Sequence, residues 1–210
     1  MPHPQTVIEP RWPAVLAMLS TALIYASLPS ELAIGPNWLL FLIVIALEIP
    51  TFALHRIGYH FLTQLLGYVV SAILTLFIMF SLAVLVINVP AHTQSPVRML
   101  ESAAALWLSN ILIFSLWYWR LDAGGPIGRA KRPGHTDGAF LFPQMTWEPT
   151  RGKWSPRFID YLFLAFTSST ALSPTDTPVL SRWAKILVML QAMISLTTLA
   201  LLGARAVNIM

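Results

Sequence analysis

The chain has 210 residues, of which 56% are hydrophobic and 10% charged, with 16 prolines, 8 tryptophans and no cysteine. A mean hydropathy of +0.68, with so few charges against about 25% in soluble domains, excludes a water-exposed fold and makes the bilayer its solvent. The missing cysteines exclude disulfides, thiolate metal sites and cysteine nucleophiles, and a net charge of +4 fits basic cytoplasmic loops better than nucleic-acid binding.

In chain order, the first apolar run is Trp12 to Leu28, ending at Pro29. Glu9 and Pro10 spoil the basic flank that a cleaved secretory signal needs, so this run is read as a span. Further runs follow at Trp38–Leu54, Leu62–Val89, Ser102–Trp119 and Pro178–Val207. They are apolar all round, as lipid-facing helices are. Trp12, Trp38, Trp117, Tyr118, Trp119, Trp154 and Trp183 fall at their ends, as an aromatic belt would. Phe158–Leu172 is shorter. Its 15 residues reach only ~22 Å of a ~30 Å core.

That short segment leaves two architectures open. The chain is an all-α polytopic bundle with either six spans, or five spans plus a re-entrant half-helix. Both give residues 1–119 as a four-span N-terminal bundle, 120–157 as a basic cytoplasmic loop and 158–210 as a C-terminal hairpin. Counting lysines and arginines puts the N-terminus inside in both cases. Gly124, Gly125, Pro126, Pro133, Gly134, Pro143 and Pro149 make long regular structure in the loop unexpected. Arg129, Lys131 and Arg132 are read as facing anionic headgroups. Ala139–Trp147 is read as lying in the interface.

Catalytic patterns are absent, and no enzyme and no cofactor are expected. "GGPIG" (Gly124–Gly128) follows a membrane helix rather than a strand, which argues against phosphate binding. His135 and Asp137 in "HTDG" are read as a solvated turn rather than a metal site. Intramembrane polar groups say more, because each is costly in hydrocarbon. Glu48 stands before Pro50, which frees the carbonyl of Ala46, and His55 lies on the same face. Glu48 binds a cation or proton, or is a hydrogen-bonded glutamate paired with Asn110 or Gln191. Asn110 and Gln191 themselves read as interhelical glue. Small residues Ala200 and Ala204 would allow close packing of the last span.

"TSSTALSPTDTPVL" (Thr167–Leu180) follows the short segment. Ser173, Pro174 and Asp176 make a helix-start signal, and Thr177–Pro178 a second. A re-entrant turn would instead place these hydroxyls in a water-accessible pocket. The candidate polar path is then Glu48, Asp160, Thr170, Ser173, Thr175 and Asp176.

Two resemblances attach to this region. A half-helix, a hydroxyl-rich turn with Asp176 and "PVLSRWAKILVM" resemble a degenerate potassium-channel pore module, but both filter glycines are missing and Pro174 forbids the filter backbone. "DYLFLAF" (Asp160–Phe166), Thr170, "SPTD" ending at Asp176, "SRWAK" (Ser181–Lys185) and "VNI" (Val207–Ile209) resemble the bacterial domain-of-unknown-function family thirteen-forty-five. Thr175 stands where that family usually has serine, and Trp183 and Ala184 interrupt its run of arginines. The resemblance implies a small polytopic protein of the bacterial inner membrane and no particular activity. The expected function is a small channel or transporter for ions or solutes, and the alternative is a non-catalytic membrane subunit or scaffold. Its expected partners are the bilayer and, for a pore, further copies of the chain, with no nucleic acid.

Overall fold

The computed structural model describes residues 9–88, 95–131, 135, 138–148, 150, 154–170 and 176–207. The protein is all-α: α1 (Trp12–Ala26), α2 (Leu39–Ile57), α3 (His60–Asn88), α4 (Pro96–Leu121), α5 (Gly125–Ala130), α6 (Pro143–Thr146), α7 (Phe158–Thr170) and α8 (Arg182–Val207). Four of these, α2, α3, α4 and α8, are long and apolar enough to cross a membrane. The chain is therefore of the multi-pass membrane class. Helix α1 has 15 residues and α7 has 13, and both fall short of that length.

Local signals set the turns. Gly58 takes the left-handed conformation at φ 90° and closes α2, with its N–H on the His55 and Leu54 carbonyls. His55 and Arg56 occupy the last turn of α2, where cations suit the negative helix end. Ser95 caps α4 by accepting the Arg98 N–H, with Pro96 at the first helical position. Helix α8 begins later than the Thr177–Pro178 signal suggested. Val179 instead pairs with Phe140 in an isolated antiparallel bridge, and Ser181 Oγ accepts the Ala184 N–H. The other expected helix-start signal, at Ser173–Pro174, lies outside the described residues, as do Ser173 and Thr175 themselves.

Helices α1 to α4 alternate in direction around a core that includes Met18, Tyr25, Leu40, Val44, Leu74, Leu106 and Phe114. Helix α4 is central, packing against α1, α3, α7 and α8. Ser81 of α3 donates to the Leu32 carbonyl at one end of the molecule. At the other end meet the start of α1, the end of α4 and the start of α7, where Trp119 packs edge-on against Phe158.

The connection after α4 folds back against the bundle. Ala123 (φ 50°), Gly124 (φ 78°) and Gly125 (φ 74°) turn the chain sharply at the α4 terminus. A Cβ at Gly125 would press on the Arg120 carbonyl, so this glycine is required by close approach. Among its described residues the helical pieces are short, as expected: a 3-10 turn at Asp122–Gly124, α5 and α6. Contrary to the interfacial reading, Phe140 and Phe142 are buried. They pack against Tyr118, Tyr161, Trp154 and Trp183.

Two backbone hydrogen bonds fix the entry to α8. Leu141 N–H donates to the Pro178 carbonyl at 2.9 Å, and Leu180 N–H donates to the Ala139 carbonyl at 2.7 Å. The chain thus leaves this end through α7 and is back at it by Pro178. Helix α8 starts where α7 starts, and the two run side by side in the same direction. Gln191, about 13 Å along α8, meets Ala165 and Ser169, which lie about 10–16 Å along α7.

Candidate functional site

Buried polar side chains gather in three places. The first is a seam between α4, α7 and α8. Gln191 donates to the Ala165 carbonyl at 2.7 Å and to Ser169 Oγ at 2.8 Å, and accepts from the Tyr118 hydroxyl. Asn110 Nδ2 donates to the Gln191 carbonyl at 3.2 Å and to Ser195 Oγ at 2.8 Å. Asn110 and Gln191 are thus glue, as their mid-span positions suggested, and neither is the partner of Glu48. The void beside Asn110 is only about 10 Å³. That is roughly the space of a single water. The seam is filled by protein.

The second place is a clasp at the loop end of the bundle. Asp122 accepts from the Ala139 N–H and, at 2.6 Å, from the Tyr161 hydroxyl, with His135 Nε2 at 3.1 Å. The solvated-turn reading of His135 is therefore corrected: the imidazole is buried, and the turn passes so close that a Cβ at Gly138 would overlap it. Asp137 lies outside the described residues. Arg129 is 6% exposed and does not face headgroups. Its guanidinium donates to the carbonyls of Trp119 (2.8 Å) and Asp122 (3.0 Å) and lies 3.6 Å from Glu9. Glu9 in turn accepts from the Trp119 indole at 2.8 Å and the Phe158 N–H at 2.6 Å. Lys131 is exposed, as a headgroup contact requires, and Arg132 lies outside the described residues. The clasp joins the N-terminal segment, α4, the loop and α7. It reads as structural because each acidic group in it is taken up by donors from the chain.

The third place is different. Between the start of α1 and the end of α2 lies a groove of about 910 Å³. That is at the upper end of the range for small-molecule sites. Its walls include Trp12, Val15, Leu16, Leu19, Ile45, Ile49 and Phe52, and its ionisable groups are Glu9, Arg11, Glu48 and His55. Glu48 Oε1 is buried without a hydrogen-bond partner, as is His55 Nδ1. Glu48 lies within electrostatic reach of Arg120 and Arg11. Arg120 is 3% exposed, held behind the groove in a crevice of about 20 Å³ that Arg11 also lines. One of its nitrogens donates to Met18 Sδ at 3.3 Å, and its Nε has no partner. Gly67 of α3 makes room for it, since any Cβ there would overlap the guanidinium. Burial lowers the affinity of Arg11 for its proton, and the charge of Glu48 raises it in part. Arginine stays cationic at neutral pH even so.

The other described members of the expected polar path, Asp160, Thr170 and Asp176, do not line the groove with Glu48. Asp160 Oδ2 accepts the Arg157 N–H at 2.7 Å and caps the start of α7. Thr170 is exposed and its hydroxyl donates to the Phe166 carbonyl at 2.9 Å. Asp176 is exposed, two residues before Pro178. His55 does line the groove with Glu48, as their shared face suggested. Sequence reasoning missed Arg11, Arg120 and Gly67, because no local pattern ties residues of α1, α3 and α4 to one carboxylate. Among the described residues no group of three or more histidine, aspartate or glutamate side chains could hold a metal. No protein-family model, curated protein or solved structure matches the chain.

Proposed function

We propose that this protein is a small transporter of the multi-pass membrane class whose solute enters the α1–α2 groove sideways from the bilayer. One observation carries the reading: Glu48 Oε1 is buried without a partner in a 910 Å³ apolar groove. A buried carboxylate oxygen without a donor costs on the order of 1–3 kcal/mol, more when charged, and in an open groove it is free to meet a proton, a cation or a donor from outside the chain. The seam between α4, α7 and α8, where a channel would run in one copy, is filled: both amide NH2 groups donate across it and the void beside Asn110 is only about 10 Å³, which favours a carrier over a pore. No chemical step is assigned to the groove.

The arrangement in the membrane follows. Helices α1 to α4 and α8 cross, with α1 aided by the residues flanking it, and α7 re-enters from the side of the 120–157 loop. That side carries every lysine and arginine except Arg98 and Arg205, so it is cytoplasmic and the N-terminus is inside. The inner membrane of a bacterium and kinship with family thirteen-forty-five rest on the residues quoted for that resemblance alone.

The test is uptake into proteoliposomes across a panel of alkali cations, small organic ions and amphiphiles. Wild-type protein moves at least one member; Glu48→Gln and the groove-filling Leu16→Trp each reduce that rate at least tenfold while the protein stays folded. A wild-type protein inert to the whole panel overturns the proposal. It would leave the second reading, a membrane scaffold, which the hydrogen bonds across the α4–α7–α8 seam favour.

A further inference from the structure

The charges around the groove do not balance. Glu9 is taken up by Arg129, the Trp119 indole and the Phe158 N–H, and so offers the groove little negative charge. Among the described residues, what remains is one carboxylate, Glu48, within reach of two guanidinium groups, Arg11 and Arg120. The surplus of one positive charge sits in an apolar, partly buried setting, where an unpaired charge is costly and water supplies little relief. A monoanion completes the set.

The walls state what else the ligand carries. Leu16, Leu19, Ile45, Ile49 and Phe52 form an apolar channel, with Leu16, Ile49 and Phe52 each more than half exposed. Arg11 and His55 lie at the start of α1 and the end of α2, on the side of the basic loop; the apolar walls run from there toward the middle of the helices, where Glu48 stands among them. A charge at interface depth above an apolar trough is the shape of a bilayer lipid. The trough volume of 910 Å³ leaves room for acyl chain as well as headgroup.

We infer that the α1–α2 groove takes a monoanionic glycerophospholipid from the cytoplasmic leaflet, with its phosphate at Arg11 in the field of Arg120 and an acyl chain along Leu16, Ile49 and Phe52. Arginine suits this task because its planar fork of donors matches phosphate oxygens. Glu48 interacts electrostatically with Arg11 and disfavours a second negative charge there, so a dianionic lipid binds less well than a monoanion. This inference names the substrate class of the site proposed above and rests on that reading.

Trp12 lines the groove and reports on its content. The experiment reconstitutes the full-length protein in vesicles that mix phosphatidylcholine with phosphatidylglycerol, one of the two carrying brominated acyl chains that quench tryptophan. The Trp12 signal is the difference between the wild type and Trp12→Phe. Expected is a preference for brominated phosphatidylglycerol of about fivefold, the effect of one basic group near the surface. Arg11→Gln brings it close to one, and Leu16→Trp suppresses quenching by either lipid. Lys131→Gln, an exposed cation outside the groove, leaves the preference unchanged. No preference in the wild type overturns the inference. So does an equal loss in Lys131→Gln and Arg11→Gln, which would make the preference a property of the whole basic face. Equal quenching by a brominated free fatty acid at the same mole fraction would also overturn the choice of a phospholipid. Solute uptake that persists without lipid preference removes this inference and leaves the transporter standing. Lipid preference without any Glu48-dependent movement does the reverse.

Discussion

At the scale of single residues, Asp122, which is buried, and Glu48, which is half-buried with its Oε1 shielded, are two carboxylates with opposite surroundings. Asp122 receives donors from Ala139 and Tyr161 and has His135 beside it, so its charge is fully answered. Glu48 Oε1 receives none. Removing each should therefore have opposite consequences. Asp122→Ala strands a tyrosine hydroxyl and a backbone N–H in the interior and should cost about 2–4 kcal/mol, read as a lowered thermal midpoint in detergent. Glu48→Gln should change that midpoint little while changing what the groove holds. Gly67 tests the same logic from the other side. Gly67→Ala forces the Arg120 guanidinium out of its place and should be destabilising by 1–3 kcal/mol, although alanine is the better helix former. A gain in stability there would show that Arg120 is not seated against α3.

At the scale of elements, the decisive relation is between α7 and α8. They start at one end because residues 139–141 hold the 178–180 segment beside the α4 terminus. The order of polar contacts agrees, with Gln191 of α8 level with Ala165 and Ser169 of α7. Single cysteines in this cysteine-free chain check it directly. Leu180→Cys and Lys131→Cys should both react with a membrane-impermeant maleimide in inside-out vesicles and stay protected in intact cells. Labelling of Leu180→Cys from outside would make α7 a sixth span. The seam itself should contribute modestly. Gln191→Leu loses three buried bonds, yet interhelical polar contacts average about 0.6 kcal/mol, so a loss of about 1–2 kcal/mol in reversible unfolding is expected.

At the scale of the whole molecule, the seam along α4, α7 and α8 leaves only a small void beside Asn110, and the large groove between α1 and α2 opens sideways. Planar-bilayer recordings of the reconstituted protein should accordingly show no unitary conductance. Steady channel openings would require a path formed between copies. The clasp and the groove share this end of the bundle: Glu9 binds Arg129 on one side and lines the groove on the other. Glu9→Gln should therefore weaken the docking of α7 and of the groove wall together, which faster proteolysis of the 120–157 connection would reveal.

Much was legible in the sequence because composition and run length act without reference to any partner. Apolarity along 39–57, 60–87 and 182–204 fixes membrane helices wherever they come to sit, since an unsatisfied backbone cannot cross lipid in another form. Glu48 stood out for the same reason, as a carboxylate in hydrocarbon. Gln191 and Asn110 read correctly as glue. The tertiary structure alone decided which groups meet. Glu9 and Phe158 are 149 positions apart, and Trp119 and Glu9 110 apart, so no spacing rule connects them. His135 looked like part of a solvated turn because "HTDG" is polar, and Arg129 looked like a surface cation because "RAKR" is basic. Both are buried because Asp122, Trp119 and Glu9 supply partners that only the packed end of α4 brings within reach. Burial of a charge depends on what lies opposite it in space, and that is settled by the docking of helices rather than by the order of residues.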